Sequence, residues 1–134
     1  MIKICTLALA VLITFSLCST QANARPGSRF DEGTQTCRLI GTGPAAWDAS
    51  PYGEGGKIFK DFCKGCHFRG NDKDAPFLWS ESKSSKAWNR VFAKRYPQCA
   101  KDGTWEVYAL EQIMKVNDYL YRFSSSSLEL FDNC

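Results

Sequence analysis

Histidine is nearly absent from this chain: its 134 residues hold one, His67. That excludes chemistry passed between two imidazoles, and any metal centre built on paired histidines. No clear carboxylate pair offers itself for proton transfer in their place, so the sequence argues against an enzyme. Methionine is almost as scarce, with Met114 the one instance beyond Met1. Neither sign of charge dominates. Seventeen Lys and Arg face 14 Asp and Glu, a net +3, which gives no footing for binding nucleic acid. The apolar run from Ile4 to Leu17 falls short of the roughly 18 residues a membrane span needs. No internal repeat is visible, and no second C-x-x-C. Cysteine, by contrast, is plentiful, at seven.

The N-terminus reads as an export signal. Lys3 precedes the apolar run, Ser19-Thr20-Gln21 follow it, and Ala22-Asn23-Ala24 form an A-x-A cleavage site. Residues 1–24 are therefore expected to be a signal peptide. Residues 25–134 are then one small exported domain, periplasmic or beyond, with no membrane span once the signal is gone.

Residues 63–67 read Cys63-Lys64-Gly65-Cys66-His67. This is the C-x-x-C-H pattern of covalent c-type haem attachment. Two thiols add across the vinyl groups of one porphyrin, and the adjoining imidazole reaches the iron from one side. Other readings of the motif compete. A thioredoxin-like redox pair expects a βαβ context, whereas residues 56–62 look helical. A zinc site would use Cys63, Cys66, His67 and one further Cys, but lacks a second pair of ligands. A structural disulfide is the remaining choice. With haem, the protein tunes chemistry that the cofactor carries.

Beyond the signal stand Cys37, Cys63, Cys66, Cys99 and Cys134. Haem attachment uses two, and the three left over are an odd number for an oxidising compartment. One disulfide and one special thiol is the simplest division.

Along the chain, residues 25–53 are rich in Gly, Pro and Ser and predict an irregular N-terminal extension, with Cys37 pinning it. A first helix is expected from Gly55 to Lys64, delivering the haem motif. Residues 69–83 are polar and turn-rich, with Pro76. A second helix is expected from Ser85 to Lys94, with Ser84 or Ser85 as N-cap. It sets Trp88, Val91 and Phe92 on an inner face. Lys83, Lys86, Arg90, Lys94 and Arg95 form a basic face that either docks an acidic redox partner or is simply solvated. Residues 96–103 read as a loop between Pro97 and Gly103. Thr104 is then expected to cap a long last helix ending at Phe123, whose apolar residues follow helical spacing.

These residues together resemble the single-haem class I c-type cytochromes over about residues 54–123. In that family a helix bearing a Gly and an aromatic precedes C-x-x-C-H, and here Gly56 and Phe59 hold those places. The family's last helix has an I-x-x-V-x-x-Y-L pattern, matched by Ile113, Val116, Tyr119 and Leu120. The resemblance implies an all-α fold of few helices around one covalent haem c, with first and last helices crossing where the Gly allows close approach. The domains would be the signal 1–24, the extension 25–53 and the cytochrome domain 54–134. Cys63 and Cys66 would hold the haem, and His67 would be the proximal ligand.

The chain departs from the family at the distal ligand. Where the family places a Met ahead of the last helix, this chain has Cys99. A Cys99 thiolate would stabilise ferric iron and lower the potential. The alternatives are Met114 as ligand, or Cys99 in a disulfide with Cys37 or Cys134. If Cys99 is the ligand, Cys37 and Cys134 should pair. His/Cys ligation is similar to that of small cytochromes of anaerobic ammonium-oxidising bacteria, which form dimers. The expected function is electron transfer between redox partner proteins. The alternative is a sensor or binder of small gases, NO or CO, that displace the distal ligand.

Overall fold

The computed structural model describes residues 25–127 and 134. The signal peptide expected at 1–24 lies outside the described residues. The chain is mostly helical with one small sheet, so the all-α expectation needs correction. Strands β1 (Ser28–Asp31) and β2 (Thr36–Leu39) pair antiparallel, with Phe30 opposite Cys37. Helix α1 (Gly43–Asp48) follows, then α2 (Glu54–Ile58), which widens into a π turn over Phe59–Cys63 and closes as α3 (Lys64–Cys66). A 3₁₀ turn at Ser80–Ser82 leads into α4 (Ser85–Lys94). The short α5 (Gln98–Lys101), a 3₁₀ turn at Thr104–Val107 and α6 (Leu110–Arg122) complete the order. No helix among the described residues is long and apolar enough to cross a membrane.

Residues 25–53 are thus not irregular. The hairpin turns through Gln35 at a positive φ of 57°. Its tight turn is tied by the Thr34 backbone N–H and hydroxyl, both donating to Asp31 Oδ1 at 2.8 and 3.0 Å. Its inner face is polar. Arg29 is fully buried. It donates to Asp118 Oδ1 and Asp31 Oδ2, both at 2.6 Å, and to Asn89 Oδ1 at 2.8 Å. Arg38 reaches the same Asp118 and also Glu111. The strands therefore fasten to α4 and α6 by charge rather than by alternating apolar residues. Cys37 is bridged to Cys134, with Cα atoms 5.6 Å apart, within the usual disulfide range. That bridge ties β2 to the last residue of the chain.

The core gathers Ile58, Phe59, Trp88, Val91, Trp105, Ile113, Val116 and Leu120 from α2, the π turn, α4, the second 3₁₀ turn and α6. Phe59 meets Tyr119 with ring centroids 5.8 Å apart. The close approach of α2 to α6 falls on Gly55, not Gly56. A Cβ on Gly55 would collide with the Lys115 carbonyl, whereas one on Gly56 would strike Ser50 and Pro51. Lys115 closes this crossing by pairing with Asp48 at 2.9 Å and Glu54 at 2.6 Å.

Helix α4 has the expected limits. Ser84 accepts the Ala87 N–H at 3.3 Å as N-cap, and Arg95 ends the helix in the left-handed region. The last helix does not. Asp102 takes the Thr104 N–H at 3.0 Å and also its hydroxyl, so Thr104 opens a separate short turn instead of capping α6. Tyr108 and Ala109 are extended, and α6 begins at Leu110, with Gln112 Oε1 accepting the Ala109 N–H at 3.1 Å. The loop 96–103 likewise contains the short α5.

Candidate functional site

Cys63, Cys66 and His67 stand at i, i+3 and i+4, the spacing that puts side chains on one side of a helical turn. The His67 N–H donates to the Cys63 carbonyl at 3.0 Å and closes that turn. The π widening immediately before it, over Phe59–Cys63, is a feature often found beside functional residues.

The loop after His67 folds back onto it. Asn71 organises the loop. Its amide donates to the Phe68 and Ala75 carbonyls, and its Oδ1 accepts the Lys73 and Ala75 N–H groups. The Leu78 N–H returns to the His67 carbonyl at 3.2 Å. The result sets the Pro76 carbonyl 2.7 Å from His67 Nδ1. A carbonyl can only accept, so Nδ1 carries the proton of this bond, and in the neutral ring Nε2 is the nitrogen with the free lone pair. Such a bond fixes the orientation of the ring. Sequence reading missed Asn71 and Pro76. An Asn in a turn-rich stretch is a local signal for the turn, but nothing in the sequence says which carbonyl it delivers to His67.

These residues face a two-lobed cavity. The larger lobe, about 210 Å³, is bounded by Cys63, His67, Leu78, Trp88, Phe92 and Cys99, among others. The smaller, about 80 Å³, adds Phe62, Cys66 and Thr104 and shares Cys63, His67, Cys99 and Trp105. One water needs on the order of 10–15 Å³, so this is room for a large ligand rather than a packing fault. Phe92 stacks on Trp105 at 4.9 Å, and the Trp88 indole N–H is satisfied by the Ser80 carbonyl at 2.6 Å. The Trp88 wall therefore offers the interior carbon rather than a donor.

Among the described residues three thiols are free: Cys63, Cys66 and Cys99. Burial, and after it the neighbouring Cys99, pushes the Cys63 thiol up to about 12, so it is protonated at neutral pH. With Cys37 bridged to Cys134, neither a Cys63–Cys66 disulfide nor one involving Cys99 is formed. Among the described residues no three of His, Cys, Asp and Glu gather closely enough to hold a metal ion. The closed shell that a zinc site would need is therefore not assembled.

Met114 is not among the residues that line this cavity. It borders a different one, of about 180 Å³, beside Asp31, Leu110 and Ile113. The basic face of α4 divides: Lys86, Arg90, Lys94 and Arg95 are exposed, while Lys83 is half-buried and borders the larger lobe. No model of a known protein family, no curated protein and no solved structure matches this chain.

Proposed function

We propose that the chain is an exported single-haem c-type cytochrome that carries electrons, with Cys63 and Cys66 as thioether tethers, His67 as proximal ligand and Cys99 as distal ligand. One observation carries the reading: a C-x-x-C-H turn with its His67 Nδ1 tied to the Pro76 carbonyl shares an apolar cavity with a free Cys99. The donor set fits the group. Two thiols and an imidazole lie on one helical turn, a further thiol comes from a separate segment, and the space they share is large and aromatic. The four do not converge on a point, as ligands separated by a flat ring would not.

The haem would supply a one-electron ferric/ferrous couple. The residues' own tasks follow from their chemistry. Cys63 and Cys66 fix position covalently. His67 offers Nε2, oriented through Pro76. Cys99 offers an anionic sulfur, which favours the ferric state. Trp88, Phe92, Trp105 and Leu120 keep water out, so each charge inside acts at low dielectric. None of this moves a proton to a substrate, which is why the reading is a carrier and not an enzyme. Lys86, Arg90 and Lys94 would steer an acidic redox partner, an effect that weakens with salt.

The test is extraction by acid-acetone followed by haem staining of a denaturing gel. The colour should stay with the polypeptide, and Cys63→Ser or Cys66→Ser should cut holoprotein yield sharply. Haem that extracts completely would refute covalent attachment. Ready uptake of CO by the ferrous protein would favour gas binding over simple electron transfer.

A further inference from the structure

Among the described residues Lys83 is the one of fixed charge that lines the larger lobe. It is half-buried there, with Nζ 5.7 Å from the centre of the Trp88 ring. Its backbone is anchored, since its carbonyl accepts the Ser125 N–H at 3.3 Å. Among the described residues no carboxylate pairs with it, whereas Arg29, Arg38 and Lys115 each have acidic partners. A partly buried cation without a carboxylate, set on the wall of a large cavity, is arranged to meet a negative charge on whatever fills that cavity, and partial burial strengthens such a pair relative to one in bulk water.

The two lobes add a direction. The smaller lobe is lined by Cys66, Phe62 and Thr104 and not by Lys83 or Trp88. Lys83 and Trp88 belong to the larger lobe alone. A haem carries its vinyl groups and its two propionates toward opposite edges. A haem tethered at Cys66 would therefore turn its carboxylates toward the end that Lys83 borders.

Resting on the haem reading above, we propose that Lys83 is the counter-ion of a haem propionate. Its charge has a direct consequence for the couple. A cation near the iron disfavours the more positive ferric state, so Lys83 opposes the pull of Cys99. It would set the potential by neutralising the propionate. This is a different task from steering a partner, which belongs to the exposed Lys86 and Arg90.

The experiment is spectroelectrochemical titration, with resonance Raman of the propionate bending modes, on holoprotein of the unaltered chain, Lys83→Gln, Lys83→Arg and Lys86→Gln. Lys83→Gln should lower the midpoint potential and shift the propionate band. Lys83→Arg should keep both, and Lys86→Gln should move neither. Should Lys83→Gln mature poorly, the unaltered protein carries the test: transfer to D₂O should shift the propionate band through the bonded ammonium, and a band unmoved by D₂O would overturn the assignment. Equal effects of Lys83→Gln and Lys86→Gln would overturn it too, reducing Lys83 to general surface charge. So would bound haem with potential and band unchanged in Lys83→Gln. Absence of haem from the unaltered chain would instead bring down the underlying reading.

Discussion

Gly55 shows how much one atom decides at the level of single residues. Its missing Cβ lets α2 lie against the Lys115 carbonyl. Gly55→Ala should cost about 1–3 kcal/mol or more, as overpacking does, while Gly65→Ala, with nothing within 4 Å of an added Cβ, should be close to neutral; urea melts of the pair measure the contrast. Asp118 is held by Arg29 at 2.6 Å and Arg38 at 2.7 Å. Asp118→Asn leaves two guanidinium groups short of a partner, and breaking a buried pair costs about 3–5 kcal/mol, readable in the same melts. Asp31 gives a pH dependence. Burial alone would raise its carboxyl, but the Thr34 N–H and Arg29 outweigh burial and hold it below the ordinary 3.8. A carboxylate whose folded pKa is depressed contributes stability above its unfolded value and loses it as pH falls through the folded value. The melting temperature should therefore drop as pH falls below 3.8, and Asp31→Asn should flatten that part of the curve. Met114→Leu should leave the haem spectrum unchanged, since Met114 borders a separate cavity.

Elements differ in how far their sequence announces them. Helix α4 was legible to the residue, because Ser84 caps it and Trp88, Val91 and Phe92 recur on one face; both signals are local. The helical turn of C-x-x-C-H was legible for the same reason, its spacing being written in consecutive residues. The hairpin was not. Strand reading looks for alternating apolar residues, and here the buried positions of β1 are Ser28, Arg29 and Asp31, with Arg29 finding its partners Asp118 and Asn89 on distant helices. The start of α6 was misplaced because Asp102 claims Thr104, and a side-chain bond two residues back is invisible to helical spacing. The substitution of Gly55 for Gly56 at the helix crossing, and the Pro76 bond to His67, are contacts across the fold that a single sequence does not encode locally. The Cys37–Cys134 bridge, by contrast, followed from counting: if Cys63 and Cys66 serve a haem and Cys99 its iron, those two remain. The bridge closes a separation of 97 residues, for which loop entropy gives at most about 4–5 kcal/mol. Cys37→Ser with Cys134→Ser should lower stability by up to that amount and leave the haem spectrum intact. A double variant with altered ligation bands would show that the hairpin reaches the site.

As a whole molecule the protein divides its labour between hairpin and cavity. Buried polar contacts from Arg29 hold the hairpin to α4 and α6, and a disulfide secures it. A large apolar cavity is edged by Cys63, Cys66, His67 and Cys99. A chain this small gains much of its core only when such a space is filled, so the protein lacking haem should melt well below the holoprotein, by the linkage that makes any native-state ligand stabilising. On the proposed reading, ligation at that cavity decides the function, and low-temperature EPR of the purified ferric protein addresses it most directly. His67 and Cys99 together predict a low-spin ferric signal of thiolate type that is lost in Cys99→Ser and retained in Met114→Leu. A low-spin signal that survives Cys99→Ser and vanishes in Met114→Leu would contradict the account.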